Sequence, residues 1–164
     1  MPLADAGPAI EDGKKYTLVV DRDWLDAHGA PLAAGFRKPF RVGPADRTPP
    51  DTAQWRLSAP KAGTSEALVV SFPKPMDYAL LMRLLDVTSA AGRIAGAATV
   101  GRQETEWRFV PVEPWKTGAY NLVADTSLED LAGNRIGRAF DVDTFERVTE
   151  HLSSKTVSLP FHAR

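Results

Sequence analysis

YTLVVDRDWLDAHGAPL, at residues 16–32, aligns without a gap with YNLVADTSLEDLAGNRI, at residues 120–136. Six of the 17 aligned positions are identical: Tyr16 and Tyr120, Leu18 and Leu122, Val19 and Val123, Asp21 and Asp125, Asp26 and Asp130, and Gly29 and Gly133. Two unrelated segments of average composition would share about one position. The repeat therefore indicates two copies of one folding unit, and repeats of this kind decide the architecture.

The two copies differ in the sequence that precedes them. The second follows a strand-rich region that begins at residue 52, whereas the first follows only residues 1–15. A short closing strand is predicted after each copy, at residues 40–42 and 140–142. We therefore expect four segments: residues 1–43, the C-terminal remnant of a first domain; residues 44–51, a Pro-rich linker; residues 52–144, a complete domain; and residues 145–164, a tail with one edge strand.

The complete domain has the pattern of seven short strands with turn residues between them. Apolar residues alternate along these strands, as Leu68, Val70 and Phe72 do, and this period is typical of strands that bury one face. Asp77 is placed to cap a short helical turn that starts at Tyr78, because a carboxylate accepts the first free N–H groups of a helix. The pattern favours an all-β, two-sheet β-sandwich, and a closed barrel is the alternative.

The tail contains one further predicted strand. Val157, Leu159 and Phe161 alternate with other residues, and Pro160 confines such a strand to the edge of a sheet because proline donates no hydrogen bond. The first unit has only two strands, and an isolated two-stranded hairpin is marginal in water. We therefore expect the tail strand to pair with the first unit and to cover its apolar face.

Composition excludes several classes of partner and site. The net charge is −1, which favours neither nucleic acid nor an anionic membrane. The one local basic run, Arg37, Lys38 and Arg41, fits a solvated strand face. The chain has no cysteine, so it can form neither a disulfide nor a thiolate metal site. No apolar run approaches the 18 or so residues that a membrane-spanning helix needs.

A set of short motifs runs through the second unit: Phe72 with Pro75-Met76-Asp77, Phe109 with Pro111, Gly118 with Tyr120, Asp130 with Ala132-Gly133-Asn134, and Phe140 with Val142. In this order they resemble the bacterial Ig-like domain found in S-layer and other cell-surface or secreted proteins. In the first unit the resemblance covers only the last two strands, and His28-Gly29-Ala30 stands where the family has Ala-Gly-Asn. The resemblance implies an Ig-like seven-stranded β-sandwich plus a truncated remnant of a second such domain. It also implies a location outside the cell or in the envelope, and no catalytic residue.

The sharpest local motif is the turn that contains Asp130, Gly133 and Asn134, together with its counterpart at Asp26 and Gly29. An Asp side chain can accept hydrogen bonds from backbone N–H groups a few residues on, and Gly tolerates a positive φ. We therefore predict a structural turn.

The alternative for the second turn is a weak calcium site. Its ligands would be Asp125, Glu129, Asp130 and Asn134. Calcium takes six to eight oxygens, so carbonyls and water would have to complete the site.

No catalytic motif is present. The three histidines lie at His28, His151 and His162, and none belongs to a zinc-binding or nucleophile motif. Carboxylates two residues apart, such as Glu104 and Glu106, would suit a glycosidase pair, but they also fit solvent-facing strand positions. We therefore predict no catalytic, cofactor or metal site. Trp24 and Trp55 are the aromatic residues that we expect to face a ligand, if the chain binds one.

These observations predict a non-catalytic structural or interaction module of a bacterial cell-envelope or secreted protein. It would act as a spacer or scaffold, with neighbouring domains of the same polypeptide, other envelope proteins or polysaccharide as partners. The alternatives are a carbohydrate-binding accessory module and a non-catalytic part of a larger secreted hydrolase. Under this hypothesis a signal peptide would have been lost with the truncated N-terminus.

Overall fold

The computed structural model describes residues 10–138 and 156–164. The chain divides into two compact units, Met1–Asp46 and Arg47–Arg164, and the division falls inside the segment predicted as a linker. The closing strand predicted at residues 140–142 lies outside the described residues.

The first unit is a single antiparallel hairpin. Strand β1 is Lys15–Val20 and strand β2 is Phe36–Arg41, in agreement with the two strands predicted there. Tyr16 lies opposite Phe40 in the register, and their rings stack with centroids 5.9 Å apart.

The second unit contains a 3₁₀ turn at Thr52–Gln54, one helix and eight described strands. Helix α1 is Tyr78–Leu84. The strands are β3 Arg56–Ser58, β4 Leu68–Ser71, β5 Leu85–Ser89, β6 Gly92–Arg93, β7 Gly96–Gly101, β8 Glu106–Pro111, β9 Gly118–Asp125 and β10 Thr156–Ala163.

These strands form two antiparallel sheets of four strands each. One sheet has the order β3-β4-β8-β7, and the other has the order β10-β9-β5-β6. The predicted all-β class is confirmed. Helix α1 joins β4 of one sheet to β5 of the other, and it begins where the sequence predicts. The side chain of Asp77 accepts a hydrogen bond of 2.8 Å from the Leu80 N–H, so this cap fixes the first turn.

The core of the second unit draws side chains from both sheets. Leu68, Val70 and Trp107 come from the first sheet, and Leu122 and Phe161 come from the second. All of them are buried, because strands that alternate apolar and polar residues turn one face toward the partner sheet.

Strand β10 corrects the prediction for the tail. It pairs with β9 of the second unit along its whole length, from Thr156 opposite Asp125 to Ala163 opposite Gly118. The prediction that it pairs with the first unit is therefore wrong. The alternation of Val157, Leu159 and Phe161 identifies the face that the strand buries, but it carries no information about which strand edge it joins. The edge position predicted from Pro160 is confirmed, because β10 ends its sheet.

We expect residues 47–164, expressed alone, to melt in one cooperative transition, since both sheets and their common core lie within this range. Residues 47–145 should lose several kcal/mol of stability, because they lack β10 and the buried Phe161, and loss of a core Phe side chain alone costs about 3–5 kcal/mol. Thermal melts followed by circular dichroism would compare the two fragments. Equal midpoints would contradict the assignment of β10 to this unit.

Gly96 allows a close approach inside the first sheet. A Cβ atom built there would lie 2.3 Å from Phe109 Cζ and 2.5 Å from the Val110 carbonyl oxygen. Gly96→Ala should therefore destabilise the protein by about 1–3 kcal/mol through overpacking. Gly101, on the same strand, has no atom within 4 Å of a built Cβ.

The matched variant Gly101→Ala should be neutral or stabilising by up to about 1 kcal/mol, because alanine loses less backbone entropy on folding. Urea unfolding of both variants would measure the difference. An unchanged midpoint for Gly96→Ala would show that Phe109 does not lie over this glycine.

Candidate functional site

The two Asp-Gly turns have the same hydrogen bonds. Asp26 Oδ1 accepts from the N–H groups of His28 and Ala30, at 2.8 and 3.0 Å. Asp130 Oδ1 accepts from the N–H groups of Ala132 and Asn134, also at 2.8 and 3.0 Å. The glycines have φ angles of +79° at Gly29 and +81° at Gly133, as the structural-turn prediction requires. The His28-Gly29-Ala30 departure from the family pattern leaves this geometry unchanged.

The two tyrosines also share a local arrangement. Tyr16 Oη accepts a hydrogen bond of 3.0 Å from the Glu11 N–H, five residues before it. Tyr120 Oη accepts one of 3.1 Å from the Lys116 N–H, four residues before it, and donates to the Lys116 carbonyl. In both units the chain therefore turns just before the strand and is held there by the tyrosine hydroxyl.

The strands that follow the two turns also correspond to each other. Phe161 lies opposite Tyr120, and its ring stacks on Tyr120 at 5.5 Å, as Phe40 stacks on Tyr16 at 5.9 Å. In the described residues the counterpart of Phe40 is thus Phe161, whereas the closing strand predicted at residues 140–142 aligns Phe40 with Phe140. The signal that could have revealed this is the Pro-Phe pair, which occurs at residues 39–40 and again at residues 160–161.

The second turn differs from the first in its electrostatics. Asp130 is buried, and its Oδ2 forms an ion pair of 2.5 Å with Lys74 Nζ and accepts a hydrogen bond of 3.0 Å from Asn134 Nδ2. Burial raises the pKa of the Asp130 carboxyl, but the Lys74 and Asn134 hydrogen bonds outweigh it, so the pKa is lowered from its ordinary value of 3.8. Lys74 also donates to the Thr48 carbonyl, and it therefore ties the turn to the start of the second unit.

Asp130→Asn should destabilise the second unit by about 1–3 kcal/mol at pH 7, because Lys74 loses its anionic partner while the asparagine oxygen can still accept the turn hydrogen bonds. The folded pKa of Asp130 lies below the unfolded pKa. The contribution of the charge is therefore complete above pH 3.8 and is lost as the pH falls through the folded pKa.

The stability difference between wild type and Asp130→Asn should accordingly shrink as the pH falls below 3.8, and urea unfolding at several pH values would measure it. Asp26→Asn is the matched control, because Asp26 accepts the same turn hydrogen bonds and no lysine of the described residues bonds to its carboxylate. A difference that does not change with pH would contradict the role given to the ion pair.

The carboxylates proposed as calcium ligands already have partners within the protein. The Asp130 carboxylate forms an ion pair with Lys74, and Glu129 Oε1 forms one of 2.9 Å with the Arg135 guanidinium. Asp125 Oδ1 accepts from both the N–H and the hydroxyl of Ser127. A cation would have to displace two basic side chains here. Among the described residues no group of three or more His, Cys, Asp or Glu side chains is arranged to hold a metal ion.

The two candidate ligand-facing tryptophans have opposite environments. Trp24 is 66% exposed, as expected. Trp55 is only 7% exposed and packs edge-on against Phe72, with ring centroids 4.9 Å apart, so the expectation that it is exposed is wrong. It lies just before β3 and two residues before the partly buried Leu57, so the alternation of Trp55, Arg56 and Leu57 is the signal that could have predicted its burial. A ligand for Trp24 remains a prediction.

The first unit has an accessible apolar surface. We call it the β1–β2 face: Tyr16, Leu18, Val20, Trp24 and Phe40. Leu18 is 51% exposed and Phe40 is 38% exposed. The corresponding residues of the second unit are all buried in its core: Tyr120, Leu122, Ala124, Leu128 and Phe161. The same hairpin therefore has a buried inner face in one unit and an accessible one in the other.

A feature that the sequence did not predict lies at the β7–β8 turn. Arg102, Gln103 and Glu104 all have positive φ, between +51° and +60°, although none is glycine. The carbonyls of Glu104 and Thr105 accept from the backbone N–H groups of Met76 and Phe72, which holds the turn in this conformation. Nearby, the buried Glu106 pairs with the Arg102 and Arg108 side chains. Such strained turns also occur at functional sites, but here the contacts are structural.

No protein-family model and no curated protein matches this sequence. In the part of the chain that the structure describes, no helix has the length and apolar character needed to cross a membrane.

Proposed function

We propose that this chain is a non-catalytic, immunoglobulin-like structural module of a bacterial envelope or secreted protein, with neighbouring domains of the same polypeptide as its first partners. The observation that carries the proposal is the strand order of the second unit. In an immunoglobulin fold, strands A, B, E and D form one sheet and strands C, F and G the other, with an added C′ strand in some members. When β3 to β10 are lettered in chain order as A, B, C, C′, D, E, F and G, one sheet has the order A-B-E-D and the other has the order G-F-C-C′.

The tyrosine arrangement supports the same fold. Immunoglobulin-like sandwiches have a tyrosine near the start of strand F whose hydroxyl bonds to the backbone a few residues upstream. Tyr120 stands near the start of β9, the strand in the F position, and bonds to Lys116 four residues before it. Tyr16 has this hydrogen bond at β1, which supports reading the first unit as strands F and G of another domain.

The proline content of residues 44–51, at the boundary of the two units, supports a spacer role. Residues 44–51 hold three prolines, and prolines restrict a chain to extended conformations. Successive domains joined by stiff, short links extend a polypeptide over distance without requiring a catalytic site. A hairpin and a sandwich in tandem, each with the Asp-Gly turn, fit this arrangement.

A specific observation favours a second candidate, carbohydrate binding. Trp24 is 66% exposed, and exposed indole rings stack on sugars. Trp24 is the one exposed tryptophan that supports this candidate, because Trp55, Trp107 and Trp115 are buried.

The proposal can be tested by protease access in the bacterium that makes the protein. Antibody against residues 47–164 should detect a product that protease added to intact cells removes, or that is found in the culture medium. A cytoplasmic protein in the same cells must survive the protease. Detection only after lysis would contradict the proposed location. Retention of the wild-type chain, but not of Trp24→Ala, on immobilised envelope polysaccharide would favour the second candidate instead of a spacer.

A further inference from the structure

The second unit shows what covers a hairpin of this kind. Its β9 pairs with β10 on one side and with β5 on the other, and the inner face of both strands packs against the first sheet. In the β9–β5 register, Leu85 lies opposite Ala124, Val87 opposite Leu122 and Ser89 opposite Tyr120. The first unit has the counterparts of β9 and β10, but in the described part of the chain β1 has β2 as its one strand partner.

Two exposed features of the first unit are thus buried in the second. The first is the free edge of β1, whose counterpart donates and accepts the hydrogen bonds to β5. The second is the β1–β2 face, where Leu18 is 51% exposed and its counterpart Leu122 is 0% exposed. Free strand edges and contiguous apolar surfaces both favour association with another strand or sheet.

The turn before β1 favours a partner that lies upstream in the chain. The Glu11 N–H bonds to Tyr16 Oη just as the Lys116 N–H bonds to Tyr120 Oη. In the second unit this turn directly follows Trp115, a buried residue at the end of the segment that supplies the covering strands. Because the same turn precedes β1, a covering segment upstream in the chain would enter the first hairpin by the same route.

We propose that β1 accepts an antiparallel strand at its free edge, from an immunoglobulin-like half-domain that precedes residue 10 in the same polypeptide. The register follows from the second unit: two apolar residues, two positions apart, lie opposite Val20 and Leu18, as Leu85 and Val87 lie opposite Ala124 and Leu122. The rest of the half-domain covers the β1–β2 face with an aromatic surface like that of Trp107 and Phe109. This inference rests on the proposed domain arrangement, but its test does not depend on where the protein is located.

Two extended chains test the proposal. The first carries residues 84–90 of this protein, which contain the β5 sequence, joined by a short Gly-Ser linker ahead of residue 10 and followed by the rest of the chain. A short linker gives a tethered strand a millimolar effective concentration. The second carries residues 52–115 in the same place, and so adds a copy of the complete covering segment.

Amide hydrogen exchange, measured by NMR, should slow by about tenfold or more for residues of β1 in both extended chains. In the second, the ¹⁹F resonance of fluorinated Trp24, assigned with Trp24→Phe, should also shift as the ring is covered. Leu18→Asp should abolish the protection, because it puts a charge on the β1–β2 face. Thr17→Asp is the matched control, because side chains alternate along a strand and Thr17 points to the opposite face.

Unchanged exchange of β1 amides in the extended chains overturns the proposal. The seven-residue extension does not need to fold by itself. Exchange in the chain that carries it therefore tests the proposal if the longer chain aggregates. Protection of β1 in the unextended chain, rising with protein concentration as a dimer forms, would show that a second copy occupies the edge and would also overturn the proposal. Retained protection in Leu18→Asp would show that the added strand does not use this face.

Discussion

Trp115 joins the two sheets of the second unit. Its indole N–H donates a hydrogen bond of 2.7 Å to the Glu66 carbonyl, so the polar end of the ring is satisfied while the rest is buried. The ring contacts Phe109 of one sheet and Tyr120 and Phe161 of the other, with centroids 5.1 to 6.1 Å apart. Its backbone N–H donates a hydrogen bond to the Thr64 carbonyl. This one side chain therefore contacts both sheets, the tyrosine of the turn before β9, and β10.

The sequence predicts the local structure well, because local structure depends on residues near one another in the chain. The alternation of Leu68, Val70 and Phe72 is enough to predict β4 and the face that it buries. Asp77 predicts the start of α1, since a cap acts within one helical turn. The turn at Gly133 is predicted because few residues other than glycine accept its positive φ.

What the sequence does not predict is the pairing of segments that lie far apart in the chain. Val157, Leu159 and Phe161 would suit the edge of either hairpin, because alternation specifies a face and not a partner. The choice of β9 depends on the aromatic stack of Tyr120 with Phe161, which forms only when the two strands are aligned. The contact of Trp55 with Phe72 is non-local in the same way, since it depends on the pairing of β3 with β4. The ion pair of Lys74 with Asp130 likewise joins residues that no motif connects.

Comparing the two hairpins distinguishes the structural features that local sequence determines from those that the surrounding protein determines. Their turns, tyrosine hydrogen bonds and aromatic stacks agree, although Asp130 has a lysine partner and is buried whereas Asp26 is exposed. The shared geometry must therefore come from the shared residues, because the surroundings differ. Burial does not follow from those residues, since Leu18 and Leu122 are the same residue at the same position of the hairpin and only Leu122 has a sheet packed against it. The hairpin is thus a preformed part of a sandwich, and the free edge and apolar face of the first unit define the chemistry of a partner that would complete it.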